Sequence, residues 1–389
     1  MIIFAFDVIK TRKRHTMANF RTDSRIVMTL DANSAVMVFG AMQGGEFIVD
    51  PITLDANAHD LDLCLQTMVK GFRMVRDQLD RQPAAISFAF PGPADYPNGI
   101  IYGYLLNFPS FRGGVALGPY LRKKFGIPVY INNDGDLFAY GEALGGVLPD
   151  INERLELAGS SKRYRNLLGY VFGDGFGVGM IVNGMLNRGD NSCVETCYFP
   201  HAKRPDIIVE EGVSIRAVKR VYKELSSDER ELEPKDIFEI AEGRMEGSRE
   251  AAVQAFAEMG ELTGEVMLPA ANITDGLIVL GGGMTGAARY IKPAILEVMR
   301  SKIHTLDGKE LGRIPMKVYD LDNEEEFADF VKGEQQKMKI YGSEIEVDFD
   351  PQKRIGVTVS KMGAGKAIAI GAYAFALDQL DRRNGITRL

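Results

Sequence analysis

Two widely separated stretches of this chain share one local pattern. Residues 29–35 read Thr-Leu-Asp-Ala-Asn-Ser-Ala, and residues 171–177 read Val-Phe-Gly-Asp-Gly-Phe-Gly. Each runs from an apolar strand into a tight turn of small residues and on into a second apolar strand. A chain that repeats such a unit is held to a duplicated fold, two similar halves with a ligand between them, where pockets commonly form.

The segments around the two stretches fit that constraint. Residues 25–41 predict strand, turn, strand. Apolar side chains at Leu61, Cys64, Leu65, Met68, Phe72 and Val75 recur at helical spacing, so 61–79 predicts an amphipathic helix on a sheet. "AAISFAFPGPAD" predicts a strand stopped by Pro91-Gly92-Pro93. "IPVYINND" at 127–134 predicts a short buried strand, and "LFAYGEALGG" after it the start of a helix. The second unit opens with "GYVFGDGFGVGMIVNGMLNRG" at 169–189. It continues with a helical pattern at 249–268 and a strand at 277–280 that runs into Gly281-Gly282-Gly283. The stretch 305–354 is charged and irregular and reads as an insertion, and the chain closes with an apolar, small-residue helix. Alternation of this kind indicates an α/β protein with a largely parallel or mixed sheet.

With 389 residues the chain has room for two domains. The expected division is an arm over 1–24, one lobe over 25–134, a second over 135–370 that includes the insertion, and a closing helix over 371–389. A net charge of −7 without a basic face argues against a nucleic-acid partner. No apolar run reaches the roughly 18–20 residues that cross a bilayer, so no membrane partner is expected. Three cysteines without a paired framework predict a reducing compartment, the cytoplasm. "MIIFAFDVIKTRKRH" places its apolar part before its basic part, the reverse of a secretory signal, and predicts that translation starts at Met17.

Several constellations could carry chemistry. Asp134 closes a buried strand, where α/β proteins place reactive groups; it serves either as a general base or as the cap of the following helix. The glycines 281–283 either meet a nucleotide with their N–H groups or simply make a tight turn. Glu195, Glu210 and Glu211 are suited to sugar hydroxyls or to plain solvation. Cys193, Cys197 and His201 are too few for tetrahedral zinc, which needs four ligands. No zinc is expected.

In order along the chain, "FAFPGPADYPNGII", "LLNFPSF", "IPVYINNDGDLFAYGEALGG", "VEEGVSIRAVKR" and "LIVLGGGMTGAARYIKPAI" resemble the ROK family of sugar kinases and sugar-responsive repressors. The resemblance covers roughly 25–300 and 358–380. It implies a two-lobed actin-like ATPase fold, hexokinase-type and ribonuclease H-like, that closes over ATP and a sugar. By resemblance, Asp134 takes the proton of the attacking hydroxyl. Asn107, Asn133, Glu195 and Glu210 hold the sugar, the last on the helix of "VEEGVSIRAVKR", and Tyr198 or His201 stands in for a family histidine. Asp31 positions Mg²⁺. The turn Asn33, Ser34, Ala35 and the turn Gly173, Asp174, Gly175, Gly177 wrap the phosphates, while Gly281, Gly282 and Gly283 meet the adenosine. A homodimer is also implied.

The sequence departs from the family at both phosphate turns. Asp31-Ala32-Asn33-Ser34-Ala35 stands where Asp-x-Gly-Gly-Thr is usual, and Gly173-Asp174-Gly175 where Gly-Thr-Gly is usual. A carboxylate about 4 Å from a phosphate costs roughly 4 kcal/mol at an effective dielectric near 20. Two functions follow: an ATP-dependent hexose or amino-sugar kinase, or a catalytically weak member, a pseudokinase, that binds sugar as a sensor or scaffold. A repressor is not expected, because about 25 residues ahead of the first strand cannot form a DNA-binding domain.

Overall fold

The computed structural model describes residues 20–92, 94–105 and 107–383, and its elements divide between two compact units. The proposed start at Met17 and most of the expected arm lie outside the described residues.

The first unit runs to Asn133 and takes up the chain again from Ala369. Its strands are β1 (Val27–Ala32), β2 (Val36–Gln43), β3 (Glu46–Phe47), β4 (Ile52–Asp55) and β5 (Ala85–Ala89), with helix α1 (Leu61–Arg76) after β4. A small ladder of β6 (Ala94–Asp95) and β7 (Ile100–Ile101), helix α2 (Leu117–Phe125) and β8 (Val129–Asn132) complete it. The sheet order is β3-β2-β1-β5-β8, with β4 on the flank of β2. β1 is antiparallel to β2 and parallel to β5. α1 begins where Asp60 accepts a hydrogen bond from the Leu63 N–H at 3.0 Å. Its buried stripe Cys64, Met68, Phe72 and Val75 packs against Phe39 and Phe88 of the sheet.

The second unit, Asp134–Ile368, repeats the plan. Helices α3 (Asp134–Gly145) and α4 (Val147–Leu157) precede the meander β9 (Leu167–Phe172), β10 (Phe176–Val182) and β11 (Met185–Asn187). A small ladder of β12 (Pro200–His201) and β13 (Arg204–Ile208) follows, then helices α5 (Ile215–Ser226), α6 (Pro234–Ala241) and α7 (Arg249–Thr274). β14 (Leu277–Gly281) and α8 (Ala288–Arg300) come next. The order β11-β10-β9-β14-β20-β17 repeats that of the first unit, three antiparallel strands and then parallel ones, once β17 (Lys317–Asp320) and β20 (Arg354–Val359) are included. The two turns singled out in the sequence occupy equivalent places, between the first and second strands of each sheet.

The stretch 305–354 is not irregular. It holds the end of a small hairpin, β15 (Lys302–His304) with β16 (Glu310–Gly312), then β17, helix α9 (Glu324–Lys332) and a second hairpin, β18 (Gln336–Lys339) with β19 (Glu346–Phe349). β17 buries Val318 and Tyr319 as the edge strand of the main sheet. The charged residues hid this order because both hairpins are exposed, and exposed strands can alternate polar and apolar residues without a continuous hydrophobic run.

The closing helix α10 (Ala364–Arg383) is longer than the expected 371–389 segment at its start. Its later part is anchored to the first unit. The Tyr373 hydroxyl accepts from Gly44 N–H at 2.9 Å, and Arg25 pairs with Asp381 at 2.7 Å. Among the described residues, no helix is long and apolar enough to cross a membrane.

Candidate active site

The alternate glycines of "FGDGFGVGM" serve two separate purposes. Gly173 and Gly175 build the β9–β10 turn, whereas Gly177 and Gly179 let α3 approach β10. A Cβ on Gly179 would lie 2.2 Å from the Gly135 carbonyl oxygen, and one on Gly135 would lie 2.7 Å from that of Val178. A Cβ on Gly177 would lie 3.4 Å from the Asp134 carboxylate. This close packing fixes the first turn of α3, and with it Asp134, against the strand that follows the turn.

Asp134 is exposed and is the first residue of α3. One carboxylate oxygen accepts from Gly135 N–H at 2.8 Å. The position is thus a carboxylate on the first residue of a helix, bonded to the N–H of the next residue. Asp136, two residues on, was missed. It is buried, and burial pushes its pKa up to about 7, with Arg188 opposing the rise and Asp134 adding to it. The available signal was a carboxylate inside the otherwise apolar run "GDLFAY". Glu142 in the same helix is fully buried and accepts from the Val147 N–H at 2.9 Å and from the Ser360 hydroxyl. It caps α4 where Gly146 has no side chain to do so.

The β9–β10 turn rests on stacked rings, Phe172 and Phe176, with centroids 5.7 Å apart. Three contacts brace it from one side. Glu210 Oε2 accepts from Phe176 N–H at 2.9 Å, Ile215 N–H donates to the Gly173 carbonyl at 3.0 Å, and Arg216 Nη1 donates to the Asp174 carbonyl at 2.7 Å. Glu210 therefore sits in a 3-10 turn, Val209–Glu211, ahead of α5 and not on that helix as the sequence suggested. The glycine-free run "VEE" needs no helix to reach the turn, since Ser214 caps α5 only afterwards.

Glu195 and Glu210 both act on Cys197 and Tyr198. Burial pushes the Cys197 thiol up to about 12, and the two carboxylates add to it. Tyr198 is raised by desolvation and then by Cys197, Glu195 and Glu210, yet 70% of it is exposed. His201 is enclosed instead: it is 1% exposed and its Nδ1 accepts from Lys203 N–H at 3.1 Å. Desolvation lowers its pKa. Glu211 is exposed and pairs with Arg216 at 3.3 Å.

The glycines at 281–283 differ in their reasons. A Cβ on Gly281 would strike the Phe138 ring at 2.4 Å, and one on Gly282 the Phe172 carbonyl at 2.2 Å, where φ is also +92°. Gly283 would meet nothing within 4 Å. Packing explains the first two, and the third leaves open surface. Gly173 is open in the same way.

In the first unit, Asp31 is the penultimate residue of β1, and desolvation raises its carboxyl although much of the side chain meets solvent. Asn33, Ser34 and Ala35 are exposed. Their turn is closed by Asn33 N–H to the Val36 carbonyl at 3.1 Å and by Ala35 N–H to Asn33 Oδ1 at 3.0 Å. Asn107 is exposed in a loop that Arg112 steadies, its guanidinium 4.3 Å from the Tyr104 ring centre. Asn133 is half-buried at the end of β8.

Among the described residues, no group of three or more His, Cys, Asp or Glu is arranged to hold a metal ion. Gly173 and Gly283 leave open surface at the two turns, where a Cβ would meet nothing within 4 Å. A separate cavity of about 400 Å³ lies among α8, β16, β17 and α9, lined by Arg300, Ile314, Met316, Tyr319 and Glu326. None of the candidate residues lines it.

Two sheets of one topology, each with a turn between its first two strands, define the two-lobed actin-like ATPase class. The ROK family model matches residues 55–314, and the chain belongs to the ROK family. It is 53% identical to a glucokinase from Parabacteroides distasonis, covering 92% of this chain and 99% of that one with a TM-score of 0.83. Two more distant structures share the fold. A ROK hexokinase from Thermus thermophilus matches at 14% identity and TM-score 0.62, covering 92% of this chain and 99% of that one. A ROK glucokinase from Streptomyces griseus, in complex with glucose and AMPPNP, matches at 14% and 0.56, covering 89% and 98%. The comparison with curated proteins gives no match.

Proposed function

We propose that this protein is an ATP-dependent hexose kinase whose first substrate is glucose. The observation that carries the reading is the 53% identity, over nearly the full length of both chains, to a glucokinase. Asp134 takes the proton from the attacking sugar hydroxyl, a role that suits an exposed carboxylate at the start of α3. Asn107, Asn133, Glu195 and Glu210 bind the sugar hydroxyls, together with Tyr198 or His201. Asp31 would help to hold the Mg²⁺ that accompanies ATP. The two turns and Gly281–Gly283 receive the nucleotide. The backbone donors of the turns neutralise charge on the transferred phosphoryl group, where most of the catalysis of such transfers resides, and Mg²⁺ would add positive charge there.

The scaffold reading rested on the loss of hydroxyl and glycine from the phosphate turns. It is not favoured, because the β9–β10 turn keeps its backbone donors despite Asp174. The carboxylate is exposed, so its repulsion lies nearer the value of about 1 kcal/mol in water than the interior value. The test is ADP formation from ATP with glucose, mannose, fructose, N-acetylglucosamine and N-acetylmannosamine, run beside Asp134→Ala. Glucose should give the highest kcat/KM, and the variant should lose on the order of 10³-fold in kcat. Absence of sugar-dependent ADP formation would sink the reading.

A further inference from the structure

The substitution of Asp174 into the β9–β10 turn raises the question of what keeps the turn usable. In a trans peptide the C=O and the following N–H point in opposite directions. The Gly173 carbonyl is held by Ile215 N–H at 3.0 Å and the Asp174 carbonyl by Arg216 Nη1 at 2.7 Å, so both carbonyls face the start of α5. The N–H groups of Asp174 and Gly175 belong to those same peptide planes and face the other way. Among the described residues neither meets a protein acceptor. Two consecutive N–H groups turned to one side form an anion-binding concavity.

Among the described residues, Arg216 is the one side chain that holds a carbonyl of this turn. It is 44% exposed, and its other contacts are loose ones, to Glu211 at 3.3 Å and Glu210 at 3.5 Å. The bond to Asp174 is thus its shortest and best defined. A guanidinium suits the task because its planar fork donates in several directions at once and keeps its charge at any working pH. Glu210, in turn, holds the next N–H of the turn, that of Phe176, at 2.9 Å.

We propose that Arg216 is a positioning residue for the nucleotide. It fixes the Asp174–Gly175 peptide so that two backbone N–H groups face the phosphates, in place of the hydroxyl that the turn lacks. The inference rests on the kinase reading above. It predicts that loss of Arg216 damages nucleotide binding and leaves sugar binding intact, a split that a general structural defect would not produce.

The experiment compares wild type, Arg216→Ala and Arg216→Lys. Affinity for a fluorescent ATP analogue is titrated without sugar, glucose affinity is measured by calorimetry, and KM for ATP is separated from kcat. In Arg216→Ala the nucleotide Kd and the KM for ATP should rise about tenfold, with the glucose Kd within twofold of wild type and the melting temperature retained. Arg216→Lys should recover part of the loss, because an ammonium still donates to the carbonyl. An unchanged nucleotide Kd in Arg216→Ala overturns the proposal while the kinase reading stands. A glucose affinity that falls as far as the nucleotide affinity also overturns it. Wild-type protein that binds glucose but no nucleotide removes the kinase reading and this inference together.

Discussion

The β1–β2 turn and the β9–β10 turn occupy the same place in two sheets of one topology, yet they are held by different means. The first is braced mainly by itself: Asn33 supplies its own side-chain acceptor to Ala35 N–H at 3.0 Å and donates its N–H to the Val36 carbonyl at 3.1 Å, with one outside bond from Ala56 N–H to the Ala35 carbonyl at 3.0 Å. The second is braced from outside, by Glu210, Ile215 and Arg216. Where glycine has been lost from a turn, an asparagine that bonds its own backbone holds the shape. Where glycine is kept, the flexible backbone must be fixed by neighbours. The two halves of a duplicated fold have therefore met one geometric need with opposite solutions.

Four variants test that contrast. Gly282→Ala has the largest expected effect, because its Cβ would enter the Phe172 carbonyl at 2.2 Å at a φ of +92°. A loss of about 3 kcal/mol, read by chemical denaturation, should accompany collapse of the second turn only. Asp136→Asn tests the helix that supports the strand after the turn. The Asp136 carboxyl rises from 3.8 to about 7 on folding, so its contribution favours the native state most below pH 4 and is lost as the pH climbs to about 7. The variant should accordingly gain on wild type over that window by about 2–4 kcal/mol, and level off above it. A gain independent of pH would refute the assignment.

Asp174→Asn should improve nucleotide affinity about fivefold at low salt and less at high salt, as befits an exposed charge. A loss of affinity would mean that the carboxylate serves the nucleotide, through a cation. Asn33→Ala has the smallest effect, about 0.5–1 kcal/mol in stability and a few-fold rise in KM for ATP, since it removes one exposed hydrogen bond. If it matched Arg216→Ala in size, the distinction between self-braced and externally braced turns would fail.

Much of this was legible in the sequence. The strand–turn–strand echo marked the opening hairpin of both sheets, because alternation of apolar and small residues is a local signal. Asp134 could be placed at the end of a strand, since "IPVYIN" is a buried strand by composition alone. The braces were not legible. Arg216 and Glu210 lie far along the chain from Asp174, and the pairing of a guanidinium with a backbone carbonyl leaves no residue pattern. Asp136 was hidden for a similar reason: a carboxylate near a helix start looks like a cap until its burial is known. The 305–354 stretch misled because solvent-facing strands need no hydrophobic run.

Cys64 is enclosed by α1 and its thiol is pushed by burial up to about 12, and Cys197 is raised to about 12 beside Glu195 and Glu210. Cys193 is exposed, its sulfur meeting only the Asn191 carbonyl at 3.2 Å. Since only thiolates react readily, a maleimide dye at neutral pH should modify the native protein at Cys193 alone. With no tryptophan in the chain to compete, that dye would be a ready-made optical reporter four residues from Cys197, on the loop that carries Glu195 and Tyr198.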